Sequence, residues 1–169
     1  LGEDGDDAIN LGANLTTADD IDGGDGSDTL VLAGNYAAGF SFGTKLRNIE
    51  TIALGAGFDY KLTLADSTNT VGLVVDGSAL GVGDNLVLNG AAETIATLIA
   101  TGGNGDDCIT GGTGNDSIAG GGGTDVLAGG AGNDTFFLAG NLTAADKIDG
   151  GSSAADMLVL NGDYSAGLT

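Results

Sequence analysis

Between Gly102 and Phe137 one nine-residue phrase repeats four times without a gap: GGNGDDCIT, GGTGNDSIA, GGGGTDVLA and GGAGNDTFF. Glycine holds places 1, 2 and 4, aspartate place 6, and a large apolar residue place 8. The aspartates are Asp107, Asp116, Asp125 and Asp134; the apolar residues are Ile109, Ile118, Leu127 and Phe136. Three glycines per hexapeptide supply backbone conformations at positive φ that side chains resist, so each GGxGxD stretch predicts a tight turn. The next three residues, apolar at the centre, predict a short strand whose middle side chain points opposite to its neighbours. Two phrases, 18 residues, then make one coil. Stacked coils form parallel ladders about 4.8 Å apart, with the place-8 residues facing each other inside. A flexible glycine-rich linker would not keep aspartate and an apolar residue in phase.

The aspartates bring the chemistry. Stacking sets Asp107 over Asp125 and Asp116 over Asp134. Carboxylates at ladder spacing repel by about 3 kcal/mol per pair at an effective dielectric near 20. Against them stand no histidine and only four basic residues, Lys45, Arg47, Lys61 and Lys147. The turns are also expected to leave main-chain carbonyls unpaired and pointing inward. Oxygen donors without nitrogen or sulfur suit Ca²⁺, which tolerates six to eight of them in flexible geometry, whereas Mg²⁺ demands a stricter octahedron.

The four phrases resemble the repeats-in-toxin (RTX) calcium-binding β-roll, a family of secreted bacterial proteins. The resemblance implies an ion between each turn and the turn one coil later. The first turn gives the carbonyls of places 2 and 4 with its aspartate; the second gives those of places 1 and 3 with its own. One ion would thus take Gly103, Gly105 and Asp107 with Gly120, Gly122 and Asp125. The next would take Gly112, Gly114 and Asp116 with Gly129, Ala131 and Asp134. Several Ca²⁺ ions are expected, and an all-β fold: a parallel β-roll or β-solenoid with calcium-binding glycine-rich turns.

The phrase also occurs outside this array. Residues 23–31, GGDGSDTLV, fit it in full, which by the same resemblance makes Gly24, Gly26 and Asp28 ligands, with Leu30 inside. Residues 2–10, GEDGDDAIN, keep Asp7 and Ile9 in the aspartate and apolar places, so Asp7 joins the candidate ligands. A longer recurrence embraces these phrases. Residues 7–39 match 134–167 at an offset of 127 that rises to 128 after one extra residue. The chain therefore reads as one long unit plus the start of the next, cut from a larger protein. Four segments follow: 1–36, RTX-type coils; 37–101, solenoid without complete nonapeptides; 102–137, the core array; 138–169, the next unit with a degenerate turn. In that last turn GGSSAAD loses a glycine and gains a residue, leaving Asp156 a doubtful ligand. In 37–101 the period-2 apolar runs at 49–54, 60–64, 73–75, 85–88 and 94–100 predict strands punctuated by Gly, Asn and Asp. Turns there should be closed by hydrogen bonds, with Asp76 and Glu93 as caps.

Composition narrows the function. A net charge of −20 on 16.3 kDa excludes nucleic acid and anionic membrane surfaces as natural partners. Hydrophobic content of 41% is too high for a disordered acidic tail, so the chain should fold once its charge is cancelled. Cys108 is alone and at place 7, hence an outward thiol with neither disulfide partner nor activating histidine. No H-E-x-x-H, no G-x-S-x-G and no nucleophile–base pair points to catalysis, so the chain reads as a non-enzyme. The eight aromatics read mostly as core or coil-edge packing. A calcium-dependent structural module of a secreted or cell-surface bacterial protein, surface-layer or adhesin-like, accounts for all of these features. Neighbouring repeat units, or self-assembly, are the expected partners. The alternatives are the non-catalytic RTX portion of a secreted hydrolase or toxin, and a ligand- or ice-binding solenoid. The last needs a regular outward Thr/Asn file, which places 3 and 5 keep in only one coil.

Overall fold

In the computed structural model, which describes residues 2–65, 72–94, 97–153, 155–165 and 167, each strand pairs in parallel with the strand one coil later. One sheet holds eight strands in the spatial order β1 (Ala8–Asn10), β3 (Thr29–Leu32), β6 (Thr51–Leu54), β8 (Leu73–Asp76), β10 (Leu98–Gly103), β12 (Ser117–Gly121), β14 (Thr135–Ala139) and β16 (Met157–Leu160). Facing it, a six-stranded sheet runs β15 (Lys147–Gly151), β13 (Val126–Gly130), β11 (Cys108–Thr110), β9 (Leu86–Asn89), β7 (Tyr60–Thr63) and β4 (Tyr36–Ser41). The short pair β2 (Ile21–Asp22) and β5 (Leu46–Arg47) completes the set. Among the described residues there is no helix, so the all-β parallel solenoid is the fold.

Coil length follows the sequence pattern. In the nonapeptide array Ile99 faces Ser117 and Ser117 faces Thr135, a step of 18 residues each time. In the middle the step grows: Tyr60 faces Leu86, 26 residues on. The strands stay in register because the extra residues are spent in turns. Side chains close those turns, as the sequence suggested. Asp84 Oδ2 accepts from the N–H groups of Gly57 (2.8 Å) and Gly81 (2.9 Å). Asp76 accepts from Ser78 N–H at 2.9 Å, and Asn89 from Ala91 N–H at 3.1 Å. All five expected apolar runs carry strands. Of the run 94–100, Ile95 and Ala96 lie outside the described residues, and Leu98 to Ala100 open β10.

Alternation sets the core. Leu30, Leu32, Ile52, Leu54, Val75, Leu98, Ile118 and Phe136 from the larger sheet meet Tyr60, Leu62, Leu86, Leu88, Ile109 and Leu127 from the smaller one. Each such side chain contributes about 1.5–3 kcal/mol on burial. The four place-8 residues are all among them. Phe137 is the exception among the aromatics: it points outward and is 45% exposed, being the strand neighbour of the inward Phe136. Cys108 is also a partial correction. It faces out but is half-buried, held between Val87 and Val126 in the strands on either side.

The long recurrence is built as well as spelled. The Tyr36 hydroxyl accepts from Leu15 N–H at 3.2 Å, and Tyr164 accepts from Leu142 N–H at the same distance. Thr16 N–H donates to Asp19 and Thr143 N–H to Asp146, both at 2.6 Å.

Candidate metal centre

The aspartates of place 6 form two internal ladders, one ahead of the strands of each sheet. Each backbone N–H donates to the carboxylate of the residue one coil later: Asp107 N–H to Asp125 Oδ1 (3.0 Å) and Asp116 N–H to Asp134 Oδ1 (2.8 Å). Toward the N-terminus Leu86 and Leu98 donate to Asp107 and Asp116 in the same way. The fully phrased turn at 23–28 repeats the arrangement, with Asp7 N–H on Asp28 Oδ1 at 2.8 Å. Asp28, Asp107, Asp116, Asp125 and Asp134 are all buried; Asp7, in the first coil, is half-buried.

These ladders occupy only one oxygen of each carboxylate. Asp28 Oδ2, Asp107 Oδ2 and Asp134 Oδ2 are buried and have no hydrogen-bond partner. Burying an ionised oxygen without a partner is costly. Asp116 differs, since its Oδ2 accepts from Gly112 N–H at 2.7 Å.

The place-1 glycines show what surrounds those oxygens. A Cβ on Gly102 would strike both Asp107 Oδ2 and the Gly120 carbonyl, and one on Gly111 would strike Asp116 Oδ2 and the Gly129 carbonyl. Carboxylate and carbonyl oxygens of adjoining coils thus converge on a point that only glycine leaves clear. Substitution should report this directly. Gly120→Ala sets its Cβ against the Asp125 carboxylate, whereas Gly122→Ala meets nothing nearer than 3.5 Å, and Ala131 already fills the same place nine residues on. In calcium-saturated thermal melts Gly120→Ala should cost roughly 1–3 kcal/mol. Gly122→Ala should melt like the parent.

The remaining candidate carbonyls divide. Those of Gly105 and Gly114 lie where a Cβ on Gly123 or Gly132, one coil on, would strike them. Gly24 and Gly26 stand against the carbonyls of Glu3 and Gly5 in the same manner. The place-2 carbonyls correct the expectation of unpaired oxygens. Gly103 O accepts from Gly122 N–H (2.8 Å), and Gly112 O from Ala131 N–H (2.9 Å). The parallel ladder extends one residue into the turn, so one lone pair of each carbonyl is already engaged.

Electrostatics follows from burial. The Asp107 carboxyl is pushed up to about 7, first by burial and then by the Asp125 and Asp106 carboxylates, although the hydrogen bond from Leu86 opposes the shift. Asp125 rises to about 6, again mainly by burial, with Asp146 and Asp106 adding to it. Asp134 is raised for the same first reason, with Asp116 and Asp156 contributing. Carboxyls in this state call for a cation.

Three participants were not read as such from the sequence. Asp146 Oδ1 accepts from Asp125 N–H (2.8 Å), Asp156 Oδ1 from Asp134 N–H (3.0 Å), and Glu50 Oε2 from Asp28 N–H (2.7 Å). Asp156, doubtful on its altered turn, stands where Asp134 stands: a Cβ on Gly150 would strike its Oδ2. Place 5 builds a second, outer ladder. Asp106 Oδ1 accepts from Thr124 N–H and Asn115 Oδ1 from Asn133 N–H, both at 2.8 Å.

A parallel solenoid whose turns stack carboxylates and main-chain carbonyls in register is, as a class, a calcium-binding β-roll. The family model for the RTX calcium-binding nonapeptide repeat matches residues 16–34 and 101–136, in four copies. Over these stretches the chain carries RTX-type nonapeptide repeats, and RTX nonapeptides bind Ca²⁺. Comparison with curated proteins and with solved structures gave no match.

The donor set fits the ion. Asp107 and Asp125, and Asp116 and Asp134, would supply hard oxygen ligands with carbonyls beside them. Among the described residues no group of three or more His, Cys, Asp and Glu side chains converges, so main-chain oxygen must make up the coordination number.

Proposed function

We propose that this chain is a calcium-dependent structural module of a large secreted or cell-surface bacterial protein, surface-layer or adhesin-like, that folds when it meets Ca²⁺ outside the cell. The observation that carries the reading is the set of buried, unpartnered oxygens on Asp28, Asp107 and Asp134, each on a separate glycine-rich turn. Bound calcium would supply the positive charge these carboxylates lack. The chain's own residues do the rest. Glycines at places 1 and 2 let adjoining coils approach, the place-8 residues fix their register, and place 6 sets a pair of carboxylates on each gap between coils. Without the ion the charge of −20 and the conformational entropy of 34 glycines favour an open chain, a form suited to passage through a narrow secretion channel. Millimolar Ca²⁺ binds the folded form and stabilises it by mass action. We assign one ion to Gly103, Gly105, Asp107, Gly120, Gly122 and Asp125, another to Gly112, Gly114, Asp116, Gly129, Ala131 and Asp134, and a further one to the turn of Gly24, Gly26 and Asp28, with Asp7 in the coil before it.

Calorimetric calcium titration of two alanine variants tests the register. Asp125→Ala removes a carboxylate from the gap and strands Asp107 N–H, and should weaken calcium binding by at least about tenfold. Asp106→Ala removes only an exposed place-5 acceptor, at about 1 kcal/mol of fold stability and little affinity. Equal affinities for the two variants would refute the assignment.

A further inference from the structure

The two ends of the recurrence have the same architecture and unequal cover. Leu158 and Leu160 of β16 stand at the places of Leu30 and Leu32 of β3, one recurrence earlier. Leu30 and Leu32 are 0% exposed; Leu158 and Leu160 are 45% and 44% exposed. Tyr36 stacks on Tyr60 with ring centroids 6.0 Å apart and is buried, whereas its counterpart Tyr164 is half-buried. What covers the first copy is known in detail. Ile52 and Leu54 of β6 lie opposite Leu30 and Leu32, Leu46 of β5 opposite Ile21, and Tyr60 of β7 opposite Tyr36.

We infer that the face formed by Leu158, Leu160 and Tyr164 is a docking surface for a second copy of the coil 40–64, supplied in line by a following repeat of the same unit. The seat matches in sequence, and β16 repeats β3 as a strand, so the cover that fits the first copy fits the second. A separate folded molecule cannot offer that coil. Its β6 is already paired with β3 and β8, and its β7 with β4 and β9. This inference rests on the reading of the chain as a repeat module and specifies which part of the neighbouring repeat makes the contact.

Maleimide labelling tests it in a Cys108→Ser background with saturating calcium. Leu158→Cys is compared in the present chain and in one continued after Gly167 by a second copy of residues 40–101, with Leu30→Cys as the buried reference. Cys at 158 should label at least about tenfold more slowly in the extended chain, and Cys at 30 slowly in both. Should Leu158→Cys fail to fold, amide exchange over 157–160 in the unsubstituted pair reads the same change. Unchanged labelling or exchange in the extended chain overturns the inference. Concentration-dependent protection in the unextended chain also overturns it, because a second molecule would then be the cover. Circular dichroism of the unextended chain with and without calcium tests the module reading separately.

Discussion

Calcium added to the EGTA-stripped chain at neutral pH should convert a largely disordered far-UV circular dichroism spectrum into a β spectrum, complete at millimolar ion. The effect should be large because two terms act together. Removing the ion leaves stacked carboxylates such as Asp107 and Asp125 to repel at about 3 kcal/mol per pair for an effective dielectric near 20. It also withdraws a mass-action gain of about 2.7 kcal/mol for each site held at a hundred times its dissociation constant. Together they are comparable with the whole stability of an ordinary domain, about 5–15 kcal/mol. Magnesium at the same concentration should do far less, since the convergent oxygens come from carboxylates and turn carbonyls in no octahedral arrangement. A chain fully folded in EGTA, with a melting temperature that calcium does not move, would sink the proposal.

Acid should substitute for calcium. The folded-state carboxyls of Asp107 and Asp125 lie at about 7 and about 6, against 3.8 for a free aspartate. A carboxyl whose folded value is raised is protonated more readily in the folded chain than in the unfolded one. Its stabilising contribution is therefore complete below about pH 4 and is lost as pH rises through 6 and 7. For Asp107 the gap amounts to on the order of 4 kcal/mol. Calcium-free protein should accordingly gain β signal as pH is lowered from 8 toward 4. Calcium needs the deprotonated carboxylates, so its own effect should be greatest at the alkaline end. A double variant, Asp107→Asn with Asp125→Asn, should flatten the calcium-free profile. A flat profile in the parent would show that these carboxyls do not govern the unfolded state at neutral pH.

What the sequence made legible was whatever repeats at fixed spacing. Ile109, Ile118, Leu127 and Phe136 were assigned inside by period alone, and all four are buried. Tyr36 and Tyr164 were matched by the long offset, and their hydroxyls make equivalent bonds. What escaped notice has a physical explanation too. Glu50 follows no glycine pair, since its turn is shortened to Asn48 and Ile49, with Asn48 at φ +51° standing where glycine would be expected. Only the stacked backbone reveals that its carboxylate takes the place of an aspartate. The outer ladder of Asp106 and Asn115 was hidden because place 5 varies, and a hydrogen-bond acceptor there can be Asp or Asn alike. The engaged carbonyls of Gly103 and Gly112 depend on how far the ladder runs past the last strand residue, which no residue type announces.

The internal ladders also give the molecule a sense of before and after. In every rung the N–H belongs to the earlier coil and the accepting carboxylate to the later one. Trimming the first coil merely releases a carboxylate oxygen to water, which receives it at little cost. Trimming the last strands an amide hydrogen inside the coil that remains. Along these inner rungs each coil is thus finished by its successor, and order is handed backward along the chain, while the outer rungs of place 5, whose N–H lies on the later coil, run the other way.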